Sequence, residues 1–86
     1  MTDAEALVKE YALKAKILGL RCDRGYANDS TYLEVWVGSG TCFNFDIDNT
    51  VGIWATNRLI TAPIENHEEV WNVFVSLIGP INKWGV

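Results

Sequence analysis

From Thr31 to Thr56 the chain alternates between two kinds of residue. One set is Leu33, Val35, Val37, Phe43, Phe45, Ile47, Val51, Ile53 and Ala55, and interleaved with it are Tyr32, Glu34, Trp36, Cys42, Asn44, Asp46, Trp54 and Thr56. A period of two sends successive side chains to opposite faces of a strand, so the segment predicts a sheet with one greasy face and one that is aromatic yet polar. Each hairpin keeps that division only if its loop holds an odd number of residues. Gly38-Ser39-Gly40 and Asp48-Asn49-Thr50 satisfy this, with Gly40 available for a left-handed bulge position. The implied register sets Val35 opposite Phe43, Trp36 opposite Cys42, Phe45 against Ile53 and Asn44 beside Trp54.

On either side the period changes. Thr2 with Glu5 has the spacing of a capping box, and Gly19 offers a left-handed stop, which predicts a helix from about Asp3 to Leu18. Ala4, Leu7, Val8, Tyr11, Ala15 and Leu18 recur at three and four as its buried stripe. Leu13 and Ile17 form a minor second stripe, expected to meet the C-terminal helix, the tail or a partner. A first strand is expected over Leu20–Tyr26, followed by a turn at Asn28-Asp29-Ser30. After a weaker turn at Asn57-Arg58, a final strand over Leu59–Ile64 would place Pro63 on a sheet edge, where no ladder donor is required. Asn66 with Glu69 predicts a second cap and a helix from His67 to about Ile78. Val70, Trp71, Val73, Phe74, Val75, Leu77 and Ile78 cover more than half of that helix, which therefore needs cover on two sides, from the sheet and from the first helix or a second subunit. Gly79-Pro80 ends it, and Ile81 and Trp84 are expected to dock. The fold class is α+β: a two-layer sandwich in which an antiparallel sheet of four to five strands carries an N-terminal and a C-terminal helix on one face, a single compact domain over 1–86.

Charge narrows the function classes. The net charge is −4, and the seven basic residues are scattered without a stripe, which argues against nucleic acid as partner. Hydrophobic residues make up 49% and charged residues 21%, far from a disordered composition. No run approaches the roughly 18 apolar residues of a membrane span, and Asp3 and Glu5 do not open a secretory signal, so a cytoplasmic location is expected. Cys22 and Cys42 fall on opposite faces of the predicted sheet and cannot pair; free thiols suit a reducing compartment. No metal site or cofactor is expected from them.

Phe43 to Val51, FNFDIDNTV, resembles the first motif of the haloacid-dehalogenase phosphatases, an apolar strand followed by Asp-x-Asp-x-Thr. The resemblance implies Asp46 as nucleophile and Asp48 as general acid beside a magnesium ion, on a parallel sheet with helical crossovers. Here hairpins flank the motif instead, so the bland alternative is Asp46 on a solvated face and Asp48 as a turn former. The same segment lacks the Gly and the bidentate acid of a calcium loop, since Val51 and Asn57 stand at those positions. His67, the sole histidine, lies among Glu65, Glu68 and Glu69, but no nucleophile is placed beside it by sequence.

The outer-face aromatics carry the strongest functional expectation. A sheet face open to water does not usually hold two tryptophans and a tyrosine unless something covers them, and Trp and Tyr are enriched in interfaces. Tyr32, Glu34, Trp36, Asn44 and Trp54 are the candidate binding or interface residues, with cover by the chain's own tail as the alternative. The expected function is a non-catalytic protein-interaction module, meeting itself as a homodimer or another protein. A small-molecule binder using the aromatic face or a sheet–helix pocket ranks second, and a phosphatase-like enzyme acting through Asp46 and Asp48 third. Short, acidic and motif-poor, the chain is similar to accessory proteins carried by phages and other mobile elements.

Overall fold

The computed structural model describes residues 3–27, 30–37 and 41–79. Helix α1 (Ala4–Ile17) precedes strands β1 (Arg21–Ala27), β2 (Ser30–Val37), β3 (Thr41–Ile47), β4 (Thr50–Trp54) and β5 (Arg58–Pro63), and a 3-10 turn over Ile64–Asn66 leads into helix α2 (His67–Ile78). The five strands form one antiparallel sheet in sequence order. Both helices lie on the same face, α1 over β1 to β3 and α2 over β4 and β5. This is the α+β sandwich that the alternation predicts, and the pairs Val35 with Phe43, Trp36 with Cys42, Phe45 with Ile53 and Asn44 with Trp54 are all present. Gly38-Ser39-Gly40, Asn28 and Asp29, and the tail bearing Ile81 and Trp84 lie outside the described residues.

The two helix ends differ from expectation in a physically simple way. Asp3, not Thr2, is the N-cap of α1: its Oδ1 accepts from the Ala6 amide at 2.7 Å, satisfying one of the amides that the first turn leaves without a partner. At the other end Gly19 takes φ +80°, and the amides of Leu20 and Gly19 reach back to the carbonyls of Ala15 and Lys16, a Schellman closure. Asn66 makes no capping bond to α2, because the chain enters that helix through the 3-10 turn. The Ile64 amide of this turn donates to the Asn49 carbonyl at 3.0 Å, fastening it to the β3–β4 loop.

The alternation also ends earlier than its sequence pattern. Ala55 and Thr56 are exposed in the β4–β5 turn, which closes with the Ala55 amide on the Asn57 carbonyl at 3.1 Å. Trp54 faces Arg58 while Ile53 faces Ile60, so Leu59 is the extra residue of a bulge and is 43% exposed. Pro63 sits at the end of β5, an edge strand, as its missing amide requires.

Between the layers lies an aromatic core. Tyr11 meets Phe45 at 5.0 Å and Trp71 at 4.8 Å between ring centroids, and Phe74 touches Phe43, Phe45 and Trp71 at 5.0–5.4 Å. The Tyr11 hydroxyl donates to the His67 carbonyl at 2.6 Å, joining α1 to the first turn of α2. Trp71 thus gives α2 cover from α1, yet Val75 and Leu77 stay 40% and 46% exposed. Leu13 and Ile17 are 60% and 75% exposed, so their stripe is not taken up by α2 among the described residues.

Candidate functional site on the outer sheet face

The helices leave the other face of the sheet uncovered, and register lays it out in three rows. Arg21, Trp36 and Cys42 form the first; Asp23, Glu34, Asn44, Trp54 and Arg58 the second; Gly25, Tyr32, Asp46, Gly52 and Thr61 the third. Tyr32, Glu34, Trp36, Asn44 and Trp54 all stand on this face and are half-buried. Glu34, Asn44 and Trp54 are direct cross-strand neighbours; Tyr32 and Trp36 flank Glu34 along β2.

Among the described residues, arginines and a glycine lie against these rings, and cover by the tail falls outside those residues. The Arg21 guanidinium lies over the Trp36 ring at 5.0 Å and that of Arg58 over Trp54 at 4.8 Å. A cation over an indole face is held by the ring quadrupole, an attraction of about 0.5–1 kcal/mol when exposed to water. Tyr32 lies over Gly25: a Cβ on that glycine would stand 2.3 Å from the ring's Cζ and hydroxyl. Two polar atoms of the face, Trp36 Nε1 and Asn44 Oδ1, are shielded from water and have no hydrogen-bond partner among the described residues. Leaving such a group unpaired costs about 1–3 kcal/mol, so the face as folded is not at its electrostatic optimum.

The sequence motif Asp46, Asp48 and Thr50 opens onto a cleft of about 190 Å³ beside Gly52, Trp54, Arg58 and Thr61. Gly52 keeps it open, since a Cβ there would come within 3.3 Å of Thr61 Oγ1 and 3.6 Å of Trp54 Nε1. The motif occupies an antiparallel hairpin, with β4 paired directly to β3, so the parallel architecture implied by the phosphatase resemblance is not that of this chain. Among the described residues no group of three or more His, Cys, Asp or Glu side chains is arranged to hold a metal ion. His67 belongs to the helical layer, with its ring beside Tyr11 and Nδ1 3.9 Å from Glu10 Oε2, away from the cleft.

Cys22 pairs across from Val35 and Cys42 from Trp36, which places the thiols on opposite faces, both free. Burial pushes both thiols above the ordinary value, reinforced at Cys42 by Glu34 and opposed by Arg21. Six residues of the face were not singled out by the alternation: Arg21, Asp23, Gly25, Gly52, Arg58 and Thr61. Gly25 and Gly52 do fall in phase with the outer set, but the arginines became visible only through register, which sets each beside an indole. No helix is long and apolar enough to cross a membrane among the described residues. Comparison with protein-family models, curated proteins and solved structures found no match for the chain.

Proposed function

We propose that this chain is a non-catalytic interaction module, a homodimer in solution, whose contact surface is the outer face of the sheet. The observation that carries this is the gathering of Trp36, Trp54 and Tyr32 with Arg21 and Arg58 on the face the helices leave open. Trp, Tyr and Arg are the side chains that dominate binding energy at protein interfaces, because they combine large apolar area with a polar handle. The free thiols suit a reducing, cytoplasmic setting. Sedimentation across a concentration series tests the proposal: self-association that Trp36→Ala and Trp54→Ala weaken is expected, and association indifferent to both would overturn it.

A second reading rests on the cleft. Its indole, hydroxyls, guanidinium and two carboxylates offer donors and acceptors to a small polar ligand. Ligand-induced change in indole fluorescence that Trp54→Ala abolishes and Trp36→Ala retains would favour it over self-association.

A further inference from the structure

We infer that two copies of the chain stack outer face to outer face about a two-fold axis running along β3, an arrangement that rests on the outer face being the contact surface. Such an axis reverses strand order and preserves rows: β1 of one copy lies over β5 of the second, β2 over β4, and β3 over β3. The middle row then becomes complementary. Asp23 comes over Arg58 of the second copy, and Glu34 comes over the second copy's Trp54 with that arginine above it, twice each by symmetry. The competing axis, perpendicular to the strands, sets β1 over β1 and β2 over β2. It would stack Asp23 on Asp23 and Glu34 on Glu34, like charges face to face.

Two further features fit the first axis. Asn44 falls on it, so its side-chain amide meets its own symmetry mate, a neutral polar pair and not a like-charged one. Tyr32 leans from β2 over Gly25 of β1, which places its ring above the β4–β5 side of the second copy. In the same row that side presents the notch over Gly52 and Thr61, part of the 190 Å³ cleft. One charged residue opposes the pairing: Asp46, on the axis like Asn44, meets its own symmetry mate. The face is also small. Five strands about 4.8 Å apart, with about six residues each at about 3.3 Å, give a projected patch of about 450 Å², less than the roughly 800 Å² per partner of a standard stable interface. A weak, transient dimer is the consequence.

Charge exchange in the full chain tests the axis. Asp23 and Arg58 are exposed, so neither single variant burdens the core. Asp23→Lys and Arg58→Glu are each expected to weaken dimerisation by about tenfold or more, and the double variant to restore it to within about threefold, in sedimentation equilibrium. Asp46→Asn is expected to tighten it. If Trp54→Ala weakens the dimer but Asp23→Lys strengthens it or leaves it unchanged, the outer face stands and this axis is overturned. If neither Trp54→Ala nor the charge variants alter association, or the chain stays monomeric into the millimolar range, the axis and the contact surface fall together.

Discussion

The two faces of this sheet solve opposite problems with the same strands. On the inner face Leu33, Val35, Val37, Phe45, Ile47, Val51 and Ile53 are at most 1% exposed, and rings from both helices pack on Phe45, Tyr11 and Phe74 edge-on and Trp71 stacked. On the outer face the large rings are covered only in part, by arginines lying over them and by a glycine beneath, with two polar atoms left unpaired. The inner face is stabilised by close packing that tolerates little change in volume. The outer face is held by arginine side chains lying over indoles, contacts that another molecule can displace. The difference teaches where stability and recognition are separable: damage to the first should unfold the chain, and damage to the second should leave it folded but solitary.

The largest expected effect is therefore on the inner face. Phe45 contacts Tyr11, Trp71 and Phe74 and is fully buried, so Phe45→Ala should cost about 3–5 kcal/mol, much of the stability of a domain this size, as read by urea denaturation. Tyr11→Phe keeps the ring but removes the donor to the His67 carbonyl, and about 1 kcal/mol of destabilisation should follow in the same assay. That hydroxyl also has a pH signature. Burial, with the charges of Glu10 and Glu68, holds the Tyr11 phenol above its ordinary ionisation range. The folded chain therefore retains a proton that the unfolded chain releases above about pH 10. Its stabilising contribution is complete below that pH and declines as pH rises further, a slope that thermal melts of Tyr11→Phe should lose.

Outer-face changes should be smaller and sharpen the contrast. Arg21→Ala uncovers one side of Trp36 and should cost no more than about 1 kcal/mol of folding stability while shifting the indole emission to the red. If Arg21→Ala instead destabilised the chain as much as Phe45→Ala, the outer face would be a second core and the distinction between faces would fail. Smallest of all is the effect on the thiols: with both pKa values raised, Cys22 and Cys42 should react with an alkylating reagent at pH 8 more slowly than a free thiol does, in the folded chain only.

How much of this was legible beforehand depended on whether a feature was local or registered across strands. Alternation alone placed Leu33 to Ile53 inward and Tyr32 to Trp54 outward, because pleating fixes the side of each residue once a strand forms. Odd-length loops then set Asn44 beside Trp54 and Trp36 beside Cys42. The bulge at Leu59 was not legible, since nothing in the local sequence distinguishes a residue pushed out of the ladder from one within it. Neither was Asp3 as cap rather than Thr2: both are good capping residues, and the choice depends on which amide the first turn presents. The arginines over Trp36 and Trp54 escaped for a third reason. Read along the chain they are isolated charges; only pairing of β1 with β2 and β4 with β5 brings each to an indole.

Indole and methyl resonances followed through a dilution series test most directly whether the outer face is where this molecule meets another copy. The Nε1–H signals of Trp36 and Trp54 should shift together as concentration rises, while that of Trp71, enclosed between the helices and the sheet, stays fixed. Shifts confined to the methyls of Leu13 and Ile17 on α1, with both outer indoles unmoved, would contradict the account.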